Sequence, residues 1–169
     1  MSTDDDGRRR GLARRTARVL LLDAAERLLL FRMAPPSGGA EWLTPGGGVG
    51  RGEPLAAAAA RELWEETGLR AAPAELGRPV ALTGGYADLG WKRGRFEDVF
   101  FLHRVDTHEV DTGRMEPYER GTTTGHRWWP VAELATTAER VIPLGLPELL
   151  PGLLAGRLPA EPVRLPWHH

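Results

Sequence analysis

Three glutamates lie close together in the sequence, at Glu62, Glu65 and Glu66. Their spacing of i, i+3 and i+4 places all three carboxylates on one face of an α-helix. The last turn of a helix carries partial negative charge, and like charges on adjacent turns repel, so carboxylates are unfavourable there. Clustered carboxylate oxygens suit hard divalent cations such as Mg²⁺ or Mn²⁺. The cluster therefore predicts a metal site, although a bare acidic helix end is more often only a solvated surface.

Local signals predict the helix that carries these glutamates. Pro54 suits the first helical position, where its missing N–H costs nothing. Residues 55–63 are rich in Ala and Leu, which favour helices. Gly68 suits the position just past the end, where left-handed backbone is common. The expected helix runs from about Pro54 to Thr67.

A glycine-rich loop precedes this helix, and the stretch from Gly47 to Leu69 resembles the signature of the Nudix hydrolase family, which includes MutT-like enzymes. That signature reads Gly, five residues, Glu, seven residues, Arg-Glu, an aliphatic residue, any residue, Glu-Glu, any residue, Gly and an aliphatic residue. Nine specified positions over 23 residues all agree, which makes the motif specific. The matching residues are Gly47, Glu53, Arg61, Glu62, Leu63, Glu65, Glu66, Gly68 and Leu69.

The resemblance implies an α/β fold of Nudix type, an α/β/α sandwich around a central mixed β-sheet with a loop–helix–loop catalytic motif. It implies hydrolysis of a phosphoanhydride bond in a nucleoside diphosphate linked to another moiety X, by water attack at phosphorus. A pyrophosphate is a polyanion, so carboxylates can bind it only through cations, here Mg²⁺ or Mn²⁺, which also activate a bound water.

The resemblance also implies roles for individual residues. The residues carried over as catalytic are Glu53, Arg61, Glu62, Glu65 and Glu66, and the last three are also carried over as metal ligands. The backbone carbonyl of Gly46 is implied as a further ligand, because residues 42–48 read W-L-T-P-G-G-G, as in many members. The eight-residue separation of Glu53 and Arg61 lets the two pair and steady the loop against the helix.

A further carboxylate from outside this motif commonly serves as base or extra ligand in the family. Glu119 is the first candidate for the base, since it precedes the H-R-W-W run at residues 126–129. Glu97, on an aromatic and β-branched run that predicts a strand over residues 95–105, is the candidate extra ligand. Glu116 is a nearby alternative, and simple surface charge is the competing interpretation for each.

Substrate contacts are predicted at Arg32, Trp42, Tyr86 and Trp91. The aromatic rings could stack on a base, although packing in the core or on the surface is the common role of such residues. The groups that recognise X are expected in the loops at residues 34–44, 84–94 and 106–125. Nucleotide sugars, ADP-ribose, oxidised nucleoside triphosphates, dinucleoside polyphosphates and coenzymes all stay open as substrates.

Composition narrows the class of protein. With 169 residues, the chain is expected to form a flexible arm over residues 1–15 and a single Nudix domain over residues 16–169. A net charge of −1 gives no general attraction to nucleic acid or acidic membranes. The absence of cysteine excludes disulfides and fits a cytoplasmic protein. We expect a small nucleotide-derived molecule as partner, with no stable nucleic-acid or membrane partner; a homodimer is left open.

Two other functions fit the same fold. A module that senses nucleotide derivatives could keep the fold without turnover, but the complete motif favours activity. Isoprenoid diphosphate isomerases share the fold and usually need a reactive cysteine, which this chain lacks.

The remaining elements follow from apolar runs and breakers. A hairpin is predicted from residues 17–23 and 27–33, further strands at 78–83 and 126–129, helices at 130–137 and 144–154, and a long polar loop at 106–125.

Overall fold

The computed structural model describes residues 11–34 and 38–169. Its helices and strands follow the order β1 (Leu12–Leu22), β2 (Arg27–Met33), β3 (Glu41–Leu43), β4 (Gly46–Gly48), α1 (Leu55–Thr67), β5 (Ala81–Asp88), β6 (Arg93–Arg104), α2 (Pro117–Thr122), β7 (Thr123–Pro130), β8 (Arg140–Ile142), α3 (Leu146–Leu154) and β9 (Val163–Arg164). Short 3₁₀ turns cover Pro73–Leu76 and Val131–Ala135.

The strands form one mixed sheet in the order β8-β3-β2-β1-β6-β5-β9, while β4 pairs with β1 and β7 with β2. The long central pair β1 and β6 is parallel, and β5 runs antiparallel to β6. The predicted hairpin is confirmed: β1 and β2 are antiparallel and meet at Leu22 and Leu28. Earlier along β1, residues 16–18 pair with β4 and not with β2. This pairing brings the glycine loop to the centre of the sheet.

Both faces of the sheet are buried, which explains why its central strands are apolar at successive positions. On β1, Val19 and Leu21 pack in one cluster with the alanine-rich face of α1. Leu20 and Leu22 point the other way and pack in a second cluster with the leucines of α3. The predicted α/β/α sandwich is therefore confirmed.

The helix of the motif has the predicted end and a slightly later start. Gly68 ends α1 in the left-handed conformation, with φ of 73°, and donates its N–H to the carbonyl of Trp64. Pro54 has extended backbone and caps the helix, so Leu55 and not Pro54 is its first residue.

Three other predicted boundaries are wrong. Strand β5 continues through Asp88 and β6 starts at Arg93, so the glycine-rich segment 84–94 is a loop only at residues 89–92. The polar segment 106–125 is not entirely loop, because its end forms α2 and the start of β7. The predicted helix at 130–137 is a 3₁₀ turn. In each case pairing with a neighbouring strand or packing on the core outweighs local propensity.

The structure describes only residues 11–15 of the predicted N-terminal arm. Residues 12–15 belong to β1, where Arg15 pairs in register with Glu97 of β6. Residues 1–10 lie outside the described residues, so the prediction of an arm stays a prediction for them. In the described part of the chain, every helix falls short of the length and apolar character needed to cross a membrane.

Candidate active site

Helix α1 directs two of its glutamates inward. Glu62 and Glu66 are buried, with exposed fractions of 6% and 8%. The two lie one helical turn apart on the same face. Glu119, on the short helix α2, is half-buried and completes the group. One carboxylate oxygen from each of the three lies within 4.8 Å of the others. We call Glu62, Glu66 and Glu119 together the carboxylate group. Glu65 is outside this group and is more exposed.

Burial makes these carboxylates costly to ionise. It raises the pKa of Glu66 well above its ordinary value, against the smaller effects of the Arg18 charge and a backbone hydrogen bond from Gly46. Burial likewise raises the pKa of Glu62, although the neighbouring Arg61 lowers it. Burial is also the main cause of the raised pKa of Glu119. Without a bound cation, the three converging carboxylates therefore have too little positive charge nearby to balance them.

The donor set fits a divalent cation. Glu62 Oε2 is buried and has no hydrogen-bond partner among the described residues, which is uncommon for a buried oxygen. The other two carboxylates point to the same space. Oxygen ligands of this kind suit Mg²⁺ and Mn²⁺ and not softer metals. These three side chains can hold a divalent metal ion.

Strand β4 supplies backbone to the same place, and only glycine fits there. Gly46 has φ of 144°. Residues with a side chain rarely adopt such a conformation. The N–H of Gly46 donates to Glu66 Oε2 at 2.8 Å. A Cβ on Gly47 would lie 2.6 Å from the carboxyl carbon of Glu62. The glycine run thus lets the backbone approach both buried glutamates.

Arg61 connects the loop to the helix. Its Nε and Nη2 donate to the two oxygens of Glu53, each at 2.9 Å, in a bidentate pair. Nη2 also donates to the carbonyl of Gly48 at 3.0 Å, and Nη1 to Glu62 Oε1 at 2.9 Å. Glu65 Oε2 is more distant from Nη1, at 3.5 Å. The predicted pairing of Glu53 and Arg61 is present, and the same guanidinium holds one oxygen of Glu62.

The arginine also sets the protonation of its partner. The hydrogen bond from Arg61 is the main cause that lowers the pKa of Glu53. The same pairing raises the pKa of Arg61, so the guanidinium stays charged.

The segment before β7 carries Glu119 to the other two glutamates. Its start docks on the C-terminal end of α1, where the N–H of Asp111 donates to the carbonyl of Thr67 at 2.9 Å and His108 Nε2 lies 2.7 Å from the same oxygen. Met115 is buried in the core, and Arg120 donates to its carbonyl. These contacts fix the short helix α2 across from α1.

Two neighbouring cavities open beside the glutamates. The carboxylate cavity, of about 140 Å³, reaches Gly46, Glu66 and Glu119. The aromatic cavity, of about 690 Å³, extends along β1 and β6. The residues that line both are Arg14, Arg18, Leu43 and Thr44. A polyanion placed near Arg18 would therefore have the carboxylate group on one side and a large cavity on the other.

Comparison with known proteins identifies the family. A model of the NUDIX domain matches residues 12–148. The chain belongs to the NUDIX domain family. An RNA pyrophosphohydrolase from Roseobacter denitrificans is 38% identical over 116 residues, which cover 62% of this chain and 67% of that protein. The predicted class is thereby confirmed: the chain is a Nudix hydrolase, a pyrophosphohydrolase.

Solved structures agree on the Nudix fold. A MutT protein from Methanosarcina mazei Go1 is 18% identical with a TM-score of 0.62, covering 86% of this chain and 96% of that one. An Ap4A hydrolase from C. elegans is 18% identical with a TM-score of 0.58, covering 85% of this chain and 98% of that one. At these identities the likeness concerns the fold alone.

The residues predicted outside the Nudix motif fall in different places. Glu119 joins Glu62 and Glu66. Glu97 does not, since it forms an ion pair with Arg15 at 2.7 Å on the sheet. The proposal of Glu97 as a metal ligand is not supported by this geometry. The carbonyl of Gly46 accepts a hydrogen bond from Arg18 Nη1 at 3.3 Å, and its role as a metal ligand stays a prediction.

The predicted substrate-binding residues are mostly elsewhere. Trp42 is 8% exposed and packs edge-on against Trp129, so it belongs to the core of the Nudix domain and cannot stack on a base. Arg32 donates to Thr124 Oγ1 on β7. Tyr86 is exposed but, like Arg32, is absent from the lining of the aromatic cavity. Trp91 lines that cavity, and its ring lies 5.5 Å from the guanidinium of Arg14.

Sequence reasoning missed the basic residues of the cavity. The sequence places Arg14 in the predicted arm and Arg18 within an apolar strand. A signal existed, because Arg14, Thr16 and Arg18 alternate with other residues and so occupy one face of a strand. Arg18 Nη1 donates to the carbonyl of Thr44 at 3.0 Å, next to the carboxylate group.

Proposed function

We propose that this Nudix hydrolase cleaves a phosphoanhydride bond in a nucleoside diphosphate linked to a moiety X, by water attack at phosphorus, with Mg²⁺ or Mn²⁺ as cofactor. The observation that carries the proposal is the convergence of Glu62, Glu66 and Glu119 within 4.8 Å in a largely buried space. A further support is the buried Oε2 atom of Glu62, which accepts no hydrogen bond from any described residue.

In this proposal Glu62 and Glu66 hold the cation, and Glu119 lies beside it. When bound, the cation neutralises charge on the diphosphate and lowers the pKa of a coordinated water. Arg61 keeps Glu62 oriented through its Nη1 contact at 2.9 Å. Arg14 and Arg18 lie where the cavities meet and offset the negative charge of the phosphates. The reaction needs mainly such positioning and charge stabilisation.

Glu119 is the residue that we propose as general base. Its half-buried position raises the pKa of its carboxyl, which brings that pKa closer to neutral pH, where a base is most effective. Glu119 Oε2 accepts the N–H of Glu116 at 3.1 Å, which orients the carboxylate. Glu65 stays a proposed further ligand, carried over from the family motif.

The substrate screen should cover nucleotide sugars, ADP-ribose, nucleoside triphosphates, dinucleoside polyphosphates and coenzymes. The name of the Roseobacter relative, an RNA pyrophosphohydrolase, adds RNA to that set. Hydrolysis with Mg²⁺ or Mn²⁺, read out as formation of the two phosphorylated products by anion-exchange chromatography, would support the proposal. Absence of turnover across the whole panel with either metal would overturn it.

Metal should stabilise the folded protein. We expect millimolar Mg²⁺ or Mn²⁺ to raise the melting temperature by about 5–10 °C, because a ligand at 100 times its Kd adds about 2.7 kcal/mol to the free energy of unfolding. The rise should be larger at pH 8 than at pH 5, since the cation displaces protons from carboxyls whose pKa values are raised. Differential scanning fluorimetry with Mg²⁺, Mn²⁺ and EDTA measures it. An unchanged melting temperature at both pH values would contradict the metal site.

Two glutamates from outside the motif provide a matched pair. We expect Glu119→Gln to lower kcat about 10²-fold, since general base catalysis commonly contributes about 10²–10⁴-fold. We expect Glu97→Gln to change kcat by less than about 3-fold, because Glu97 is paired with Arg15 and lies outside the carboxylate group. Both changes in kcat are measured by steady-state kinetics with the substrate that has the highest kcat/KM. Equal losses in both variants would contradict the assignment of Glu119.

A further inference from the structure

The aromatic cavity is lined in part by the end of a segment, residues 163–169, that lies outside the NUDIX match. The family model ends at residue 148, whereas residues 167–169 line the cavity. We propose that Trp167 and His168 form the wall against which the nucleobase of the substrate stacks. This inference rests on the proposed function, since it assigns the part of the substrate that the carboxylate group does not contact.

The segment is fixed to the sheet by specific hydrogen bonds. Strand β9 extends the sheet in parallel with β5. Thr83, which is fully buried, donates its hydroxyl to the carbonyls of Leu165 and Pro166, each at 3.0 Å. Trp167 Nε1 then donates to the carbonyl of Tyr86 at 3.0 Å. These bonds define the path of the segment up to the indole.

The segment is also anchored from the opposite edge of the sheet. Arg140 on β8 donates through Nη2 to the carbonyl of His168 at 2.7 Å. Strands β8 and β5 lie on opposite sides of β1 in the sheet order, so the segment is bonded to strands on both sides of β1. Its position beside the cavity therefore follows from bonds at both ends.

A glycine on β5 makes room for the tryptophan. Gly85 has no side chain, and a Cβ built on it would overlap the indole ring of Trp167. Strand positions ordinarily favour larger side chains, and glycine there marks a close approach of another group. The sequence of β5 is thus matched to the docked indole.

The segment lines the cavity without filling it. A volume of about 690 Å³ stays open between the segment and the strands. A cavity of this size can hold a small molecule such as a nucleoside. Trp167 and His168 lie with ring centroids 4.4 Å apart on one side. The side chain of Trp91, which is 65% exposed, provides a further aromatic surface. The Trp167 and His168 rings are inclined at 47° to each other, so one ring at a time can stack on a base. Such stacking is possible with any base.

Polar side chains also line the cavity. Asp98 accepts the hydroxyl of Thr16 on Oδ1 at 2.5 Å. The carboxylate of Asp98 has capacity for further donors. His168 Nδ1 is buried with no hydrogen-bond partner among the described residues. Thr44 Oγ1, on the wall shared by the two cavities, is likewise buried and unpartnered in the described part of the chain. A nucleoside whose phosphates lie at Arg18 would bring its base to these groups.

The test separates the stacking wall from the rest of the segment. Trp167→Leu keeps an apolar group on Gly85 but removes the aromatic face, and Gly85→Val displaces the indole from the side away from the cavity. Val163→Ala is the control, because Val163 lies on β9 in the same segment and is absent from the lining of the aromatic cavity. Binding of AMP, GMP, CMP and UMP is measured by titration calorimetry in EDTA, with circular dichroism to verify folding.

We expect Trp167→Leu and Gly85→Val each to raise Kd for the tightest-bound monophosphate about 10-fold, the usual size of one stacking contact. With metal and the best substrate, KM should rise by a similar factor while kcat changes less than about 3-fold. Val163→Ala should leave Kd and KM unchanged.

Several outcomes would overturn the inference. One is a wild-type protein that hydrolyses nucleotides while both cavity variants keep wild-type Kd and KM. Another is a gain in affinity in these variants, which would mean that the segment obstructs the cavity. A wild-type protein that neither binds monophosphates nor hydrolyses any nucleotide would instead overturn the proposed function, so the two failures are distinguishable.

Discussion

Glu66→Gln is expected to lower kcat by about 10²–10³-fold, the loss typical of removing one preorganised group that stabilises charge. Glu66 links the carboxylate group to strand β4, since it accepts the N–H of Gly46 and lies with Glu62 and Glu119. A neutral amide in its place keeps the shape of the site but removes one negative charge from the proposed metal ligands. Steady-state kinetics with Mg²⁺ or Mn²⁺ measures the loss.

The same substitution should stabilise the metal-free protein at high pH. Burial raises the pKa of Glu66 above its unfolded value of about 4.3. The folded state therefore keeps the proton longer than the unfolded state, and wild-type stability falls as pH rises from about 4 through the raised pKa. Gln does not titrate and escapes this fall. The melting temperature of Glu66→Gln minus that of the wild type should therefore increase between pH 5 and pH 8 in EDTA.

Glu65→Gln is the matched control for this stability measurement, because Glu65 lies on the same helix but outside the buried group. Its melting temperature should follow that of the wild type across the pH range. Two results would contradict the assignment of Glu66: retained activity with metal, or a stability difference that does not grow with pH.

Arg61→Ala is expected to lower kcat/KM by about 10–100-fold, the usual loss when a group that orients a metal ligand is removed. The guanidinium binds both oxygens of Glu53, one oxygen of Glu62 and the carbonyl of Gly48. Removing it frees Glu62 to rotate and releases the loop from α1. Arg61→Lys should recover little, because an ammonium cannot reproduce the planar fork that spans these acceptors.

Metal affinity distinguishes this orienting role from general destabilisation. The apparent Kd for Mn²⁺, measured by calorimetry, should rise about 10–100-fold in Arg61→Ala, and added Mn²⁺ should recover part of the activity. Arg127→Ala is the control, because Arg127 pairs with Glu133 at 2.8 Å on the surface. A surface pair of this kind contributes about 0–1 kcal/mol. An unchanged Mn²⁺ affinity in folded Arg61→Ala would contradict the orienting role.

The part of the site that could be predicted is the part whose contacts are short-range. Glu62 and Glu66 share a face because four residues make about one helical turn, whatever the rest of the chain does. Glu53 reaches Arg61 because the loop and the first turns of α1 are contiguous. The need for glycine at position 47 follows from the same motif, although only the structure reveals that a Cβ would meet the Glu62 carboxylate.

The substrate residues were harder to predict because strand alternation tells which residues share a face and not what covers that face. Trp42 and Trp91 are the same type of residue, yet Trp42 is buried against Trp129 and Trp91 lines a cavity. The difference comes from β8, which pairs beside Trp42 in the sheet, and from the leucines of α3, which lie in the same buried cluster as Trp42.

The sequence by itself determined the family, the class of reaction and the two glutamates of α1, because these depend on spacing within 23 residues. Tertiary structure alone decided that Glu119 joins them and Glu97 does not, since docking of the segment before α2 on Thr67 sets that distance. It also brought Arg18 to the junction of the cavities and Trp167 onto Gly85. Contacts between residues far apart in the chain depend on the packing of the whole sheet, and no local spacing encodes them.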